Sequence, residues 1–157
     1  MAEITLAKGL KVKNRLAGRL ARVQADIQAY NSAPEGQAGQ VNVPALMQTR
    51  EELVSALVGL KTAINDANRE AQRDIYDLAE KKATAQFLAG VNTRHGPQPP
   101  VYPSTTEVNY VAALKKADVD GLVAGLEKEI DQLQDKLDQF NHDHRIEVDG
   151  RTLELAS

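Results

Sequence analysis

The sequence predicts a mainly α fold: an antiparallel, coiled-coil-like bundle of long helices with a proline-rich loop and a short C-terminal β-hairpin, in a single domain over residues 1–157. Three observations support this fold class. Apolar residues recur every three or four positions over long stretches, which is typical of amphipathic helices. Aromatic residues make up only 4% of the chain, which disfavours a β-sandwich. Residues 92–103 contain too many prolines to be helical, so they separate two helical regions.

The first helix is predicted from about residue 5 to residue 30. Thr5 is a suitable N-cap, because its hydroxyl oxygen can accept a hydrogen bond from the first helical turn. The helix is expected to end near Asn31, where a run of turn-forming residues begins. Its apolar stripe consists of Leu6, Leu10, Leu16, Leu20, Val23, Ile27 and Tyr30.

A second helix is predicted over residues 44–90 and begins with Pro44, which suits a first-turn position. Its apolar stripe is interrupted at residues 65–68, a polar patch of weak helix formers. Two alternatives follow: one continuous helix of roughly 70 Å, or a bend near Asn65. Continuity is favoured, because neither glycine nor proline occurs in the patch.

A last helix is predicted over residues 118–143, after the proline-rich loop at residues 92–106 and a short extended segment at residues 108–111. Charged residues flank its apolar stripe, which is the clearest coiled-coil pattern in the chain. Such helices bury only a narrow seam, so we expect the chain to complete its burial against copies of itself. The stripe consists of Val119, Leu122, Leu126, Ile130, Leu133, Leu137 and Phe140.

Residues 145–155 are predicted to form a β-hairpin. Ile146 and Val148 alternate with polar residues, Asp149-Gly150 is a favourable turn, and two alternating leucines follow. A two-stranded hairpin alone is marginally stable. We therefore expect this segment to pair with another extended segment or to pack on a helix.

Composition narrows the classes of function. The net charge of -3 and the pI of about 5.6 give no overall nucleic-acid signature. Cysteine is absent, which excludes disulfides and thiolate metal sites. The apolar runs are too short for a transmembrane helix, and the first residues do not resemble a signal peptide. We therefore expect a cytoplasmic protein with no membrane partner.

Five cationic side chains lie on one side of the first predicted helix, because their spacing is three or four residues. One interpretation is a solvated face, or a face that pairs with acidic residues of another helix. The other is a surface that binds phosphates of a small ligand or of nucleic acid. The five residues are Lys8, Lys11, Arg15, Arg19 and Arg22.

The proline-rich loop is a second candidate for ligand binding. Arg94 offers a planar fork for phosphate or carboxylate, and His95 can donate, accept or bind metal. Tyr102 and Tyr110 offer stacking faces with a polar end. Together these side chains are suited to a nucleotide-like anion. The alternative is a stiff connector in which the prolines set the distance between helices.

The sequence contains no recognisable catalytic arrangement. It lacks a phosphate-binding glycine loop and a Gly-x-Ser-x-Gly elbow, and its three histidines belong to no triad. In the segment His142-Asp143-His144, two imidazoles would point to different sides of a helix, whereas in an extended segment they would share a side and could bind one ion. A polar helix end is favoured over a metal site, because no third ligand is evident beyond Asp143 and Glu147. We expect a protein that is not an enzyme and that uses no cofactor and no metal.

The order of segments resembles a small bacterial helical family, some members of which carry the label septicolysin. The resemblance lies in residues 1–7, in the helix opening at residues 44–46, and in residues 105–111 ahead of the last helix. The family has an Asp-Gly-Arg-Thr-Leu element in mid-chain, whereas here residues 149–153 carry it at the C-terminal end. The resemblance implies a helical, oligomer-forming protein and no particular functional residues.

These observations favour a non-enzymatic, homo-oligomeric binding protein that sequesters a small anionic or nucleotide-like ligand at subunit junctions. The alternative is a structural or adaptor coiled-coil protein that acts through protein–protein contacts. Nucleic-acid binding is disfavoured, because the chain as a whole is acidic and no aromatic residues are interleaved with the cations of the first helix.

Overall fold

The computed structural model describes residues 1–157 and confirms the mainly α fold class, with five α-helices and short antiparallel strands. None of these helices is both long enough and apolar enough to cross a lipid bilayer. In chain order the elements are β1 (Ala2–Thr5), α1 (Leu6–Tyr30), a 3-10 turn (Glu35–Gln37), α2 (Val43–Asn68), α3 (Gln72–Ala89), β2 (Gly96–Gln98), β3 (Val108–Tyr110), α4 (Lys116–Asp143), β4 (Arg145–Val148) and α5 (Gly150–Leu155).

The chain divides into two compact units. Residues 1–71 and 138–157 form the first, which we call the core unit. Residues 72–137 form the second, which contains the proline-rich loop and which we call the loop unit. The expectation of a single domain stays a prediction.

Antiparallel packing of α1 against α2 forms the core unit. Gly9 near the start of α1 lies beside Ile64 near the end of α2, while Ile27 and Met47 border one cleft at the opposite ends. Thr5 caps α1 as predicted, because its hydroxyl oxygen accepts a hydrogen bond from the Lys8 N–H at 3.1 Å. The largest fully buried side chains are Leu6, Leu16, Leu53 and Leu60.

The C-terminal hairpin prediction was correct for its first strand and wrong for its second. Strand β4 pairs with another extended segment, as expected, and that segment is β1, with Ile4 opposite Ile146. Residues 150–155 form α5 because the Asp149 carboxylate accepts a hydrogen bond from the Arg151 N–H at 3.0 Å and caps a helix. The Asp-Gly pair therefore begins a helix here, and its helical spacing buries Thr152 and Leu155.

The prediction of one continuous helix over residues 44–90 was wrong. Helix α2 ends at Asn68 and α3 begins at Gln72. At the break, the Ala71 N–H donates to the Asn68 carbonyl at 3.0 Å and the Arg69 N–H to the Asp66 carbonyl at 3.3 Å. These three-residue bonds replace the four-residue bonds of an α-helix. The polar patch thus interrupts the helix without any glycine or proline.

Helices α3 and α4 run antiparallel in the loop unit. Lys136 pairs with Asp74 at 2.6 Å, and Glu129 pairs with Lys81 at 2.6 Å. The two ion pairs are seven residues apart on each helix, and the residue numbers increase along α3 as they decrease along α4. This spacing is the heptad register of an antiparallel coiled coil. The apolar stripe of α4 differs from the prediction at one position: Leu122 is 49% exposed, and Val123, which is less exposed, continues the heptad pattern.

The proline-rich loop is not helical, as predicted, and it contains a small antiparallel sheet. Strand β2 pairs with β3, with Pro97 opposite Asn109, which confirms the extended segment predicted near residue 108. Gly96 enters β2 with a φ of 85°, a conformation that favours glycine. The sheet therefore brings the two ends of the loop together.

Candidate functional site

The five predicted cations of α1 are all exposed. Their spacing places them within one sector of the helix surface, as a row that extends for about 21 Å from Lys8 to Arg22 at 1.5 Å per residue. Asp26 lies on the same sector one turn beyond Arg22. The sequence therefore predicted the cationic face correctly.

Three of the five cations line an open cleft with a volume of about 520 Å³. The residues after α5 form the opposite wall, with Ala156 and Ser157. Lys8 and Lys11 lie outside this cleft, nearer the start of α1. We call it the arginine cleft, and its cations are Arg15, Arg19 and Arg22.

The three arginines differ in what they contact. Arg19 Nη1 donates a hydrogen bond to the Leu155 carbonyl at 2.8 Å, so its guanidinium is held at the C-terminal end of α5. Arg15 and Arg22 form no ion pair. The cleft thus contains two uncompensated guanidinium groups on either side of one fixed group, and each offers several N–H donors.

Two of the predicted loop residues come together in the loop unit. The guanidinium carbon of Arg94 lies 6.0 Å from the centroid of the Tyr110 ring, at the outer limit of a cation–π contact. Both residues line a cleft of about 330 Å³, and the Ser104 hydroxyl at its edge accepts a hydrogen bond from the Thr106 N–H at 3.2 Å. Its other lining residues are Gln98, Pro99, Val101 and Val108.

The other two loop residues lie outside that cleft. His95 Nδ1 accepts a hydrogen bond from the Ala112 N–H at 3.2 Å, and this contact holds the end of the loop. Tyr102 is 95% exposed on a turn that is closed by the Ser104 N–H donating to the Val101 carbonyl at 2.9 Å. The four predicted loop residues are therefore not one convergent site.

A third cleft, which the sequence did not predict, lies in the core unit beside β4 and α5 and has a volume of about 540 Å³. Arg151 at its edge donates to Glu52 at 2.8 Å and to Glu154 at 3.1 Å. The hydrogen bond to Glu52, with that to Glu154, raises the pKa of Arg151 above its ordinary value. Because two carboxylates compensate this guanidinium, the cleft is less suited to an anion than the arginine cleft. Glu52 and Arg151 are 99 positions apart in sequence, and no sequence pattern indicated their contact.

His144, which directly follows α4, has structural contacts. The His144 ring packs on Phe140 with centroids 4.9 Å apart, and the His144 carbonyl accepts a hydrogen bond from the Leu6 N–H at 2.8 Å. No group of three or more His, Asp or Glu side chains is arranged to hold a metal ion. These contacts join the end of α4 to the start of α1 within the core unit.

No protein-family model matches the chain, and no similar curated protein and no similar solved structure was found. The resemblance to the septicolysin-labelled family therefore stays a prediction.

Proposed function

We propose that this chain is a non-enzymatic, homo-oligomeric binding protein that sequesters a small phosphate-bearing anion in the arginine cleft. The observation that carries the proposal is the pair of uncompensated guanidinium groups, Arg15 and Arg22, beside the fixed Arg19. Guanidinium forks match the oxygen geometry of phosphate and form charge-assisted hydrogen bonds with it. A nucleotide-like ligand fits this chemistry.

The size of the cleft favours a small ligand over a nucleic acid. Small-molecule sites have volumes of about 300–1,000 Å³, and the arginine cleft, at about 520 Å³, falls in that range. A nucleic acid would contact a longer surface, and the net charge of -3 opposes its approach to the rest of the molecule. The proposed compartment is the cytoplasm, where nucleotides and other phosphates are abundant.

Exposed apolar side chains in the loop unit support the homo-oligomeric part of the proposal. Tyr76 and Phe87 on α3 are 64% and 69% exposed, and Leu122 on α4 is half-exposed. In this unit only Leu78, Val119 and Leu137 are buried apolar residues. Such a helix pair has little core of its own, and contact with further copies would remove apolar surface from water.

Thermal unfolding with added phosphates tests ligand binding. We expect pyrophosphate or ADP to raise the Tm, because a ligand at 100 times its Kd stabilises the folded state by about 2.7 kcal/mol. The double variant Arg15→Gln/Arg22→Gln should lose this shift while keeping its helical circular dichroism. Arg19 is left unchanged, because it holds α5.

The matched control is Lys8→Gln/Lys11→Gln, which removes the same charge from the same face of α1 outside the cleft. It should keep most of the Tm shift. If both double variants lost the same part of the Tm shift, the effect would come from the general charge of α1. If no phosphate shifted the Tm of the wild-type protein, the proposal would be contradicted. Ionic strength is held constant throughout, because salt screens exposed charges.

Light scattering tests the homo-oligomer. The monomer mass is 17.1 kDa, so a multiple of this mass is expected at micromolar concentration. Phe87→Ser should lower the mass if the exposed apolar face of α3 joins copies, and Gln86→Ser serves as the neighbouring control. A monomer at every concentration would contradict this part of the proposal alone.

The adaptor alternative has one specific observation in its favour, the exposure of Tyr102 on its turn. Exposed tyrosines are frequent anchors of protein–protein interfaces. An adaptor would be indifferent to phosphates, and its contacts with a partner would be lost in Tyr102→Ser and kept in Tyr76→Ser. A protein that binds phosphate through Arg15 and Arg22 and is unaffected by Tyr102→Ser would exclude this alternative.

A further inference from the structure

We infer that the arginine cleft binds an anion with two or more linked phosphoryl groups in preference to a single phosphate. The inference rests on the proposed function and specifies its ligand class. The shared chemistry is a linear diphosphate or triphosphate group, which either an inorganic chain or a nucleoside can carry.

The spacing of the arginines carries the first step of the argument. Arg15 and Arg19 are separated by about 6 Å along the axis of α1, and Arg19 and Arg22 by about 4.5 Å. The three residues are therefore attached to α1 along a row of about 10.5 Å. We expect a single phosphate at the central arginine to engage fewer of these groups than a chain of phosphates that lies along the row.

The contact of Arg19 fixes the position of the central guanidinium group. Because Nη1 is bonded to the Leu155 carbonyl at 2.8 Å, this side chain is directed across the cleft towards α5. Its remaining N–H groups stay available to the middle of a ligand.

The far wall of the cleft directs the anion towards α1. Carbonyl groups at the end of α5 carry partial negative charge, and the Ser157 hydroxyl there donates to the Leu153 carbonyl at 3.0 Å. The Ser157 hydroxyl is thus committed as a donor, and the wall opposite α1 offers mainly acceptors. An anion is expected to lie along the arginine row and not across it.

The charge of the cleft also favours a ligand with more than one phosphoryl group. A terminal phosphate carries a charge of about −1.5 to −2 at pH 7, which leaves about one of the three guanidinium charges of the cleft uncompensated. A second phosphoryl group supplies the missing charge at the distance of the next arginine. Beyond Arg15 the cationic row continues to Lys11, in the direction that a third phosphoryl group would extend.

Isothermal titration calorimetry of the full chain at fixed ionic strength tests the inference with four probes: orthophosphate, AMP, pyrophosphate and ADP. We expect pyrophosphate and ADP to bind at least about tenfold more tightly than orthophosphate and AMP. Equal binding of pyrophosphate and ADP would assign the site to the phosphate chain itself. Tighter binding of ADP than of pyrophosphate would indicate an additional contact with the nucleoside. Both results support the inference.

Single variants locate the preference on the row. Arg15→Gln and Arg22→Gln should each reduce the ratio of ADP to AMP affinity towards one, and Lys8→Gln should leave the ratio unchanged. Circular dichroism melting confirms that each variant is folded. Equal affinities of the wild-type chain for AMP and ADP would overturn the inference while the proposed function stands, whereas no binding of any probe would overturn both.

Discussion

The core unit and the loop unit are stabilised in different ways. Thirteen buried residues form one apolar cluster in the core unit, including Leu6 and Leu53, which are inaccessible to solvent. The loop unit buries three apolar side chains and aligns α3 with α4 through the ion pairs Asp74–Lys136 and Lys81–Glu129. Exposed ion pairs contribute little to stability, so their main effect is to set the register of the helices. The comparison indicates that the core unit provides most of the stability, whereas the loop unit leaves apolar side chains such as Phe87 exposed to solvent.

The largest expected effect is the loss of a core side chain. Leu53→Ala removes a side chain with 0% exposure from the core unit, and it should lower the free energy of unfolding by about 2–5 kcal/mol. The matched change in the loop unit, Leu122→Ala, should cost less than about 1 kcal/mol, because this side chain is half-exposed. Urea unfolding followed by circular dichroism measures both. Equal costs would contradict the division of roles between the units.

An intermediate effect is expected at the edge of the core unit, outside the apolar cluster. Asp149→Ala removes the N-cap of α5, which should cost about 0.5–2 kcal/mol. Asp149→Asn keeps an accepting oxygen and should recover most of the loss. Because α5 holds Arg19 and leads into the wall of the arginine cleft, Asp149→Ala should also weaken the proposed phosphate binding. Unchanged stability in Asp149→Ala would mean that α5 is held by the burial of Leu155 alone.

The smallest effect is expected for the ion pairs of the loop unit. The hydrogen bond to the Glu129 carboxylate is the main reason that the pKa of Lys81 lies above its ordinary value of 10.5. A raised pKa means that this pair contributes its full stability below pH 10.5 and loses it as the pH rises through the raised pKa. The difference in unfolding midpoint between wild-type protein and Lys81→Gln should therefore narrow above that pH.

Salt provides the control for that prediction. The Lys81–Glu129 contact is partly exposed, so its contribution should decrease at high ionic strength, where charges are screened. The cost of Leu53→Ala should stay nearly constant under the same conditions. A large ion-pair contribution that is independent of salt would show that the loop unit depends on its charges for stability. That result would contradict the view that these ion pairs mainly set the register of the helices.

Much of the fold was predictable, because a helix that buries one face has apolar residues at every third or fourth position. The stripes of α1 and α4 indicated both helices, and Thr5 indicated where α1 begins. The break between α2 and α3 was not predictable from glycine or proline, because weak helix formers alone caused it. Asp149-Gly150 fits both a hairpin turn and a helix start. Because β4 pairs with the distant β1, Asp149-Gly150 begins a helix here and not a hairpin turn.

The candidate site was predictable only in part, because a local sequence pattern does not contain contacts between distant segments. The cationic face of α1 follows from spacing within one helix, so the sequence sufficed for it. The opposite wall of the arginine cleft is formed by the residues that directly follow α5, and the sequence pattern assigned α5 to a strand. Likewise Arg94 meets Tyr110 because β2 pairs with β3, and such pairing depends on contacts that a local pattern does not contain.

The pairing of β1 with β4 has a consequence for how the protein is made. Thr5 lies opposite Arg145, so β1 has no partner strand until about 140 further residues have been synthesised. At a synthesis rate of about 5–20 residues per second, that interval is roughly 7–28 s. During this time α1 and α2 can already pack on each other, while Ile4 and the other apolar residues that β4 covers remain open to solvent. The nascent chain therefore exposes this apolar edge until β4 has been synthesised.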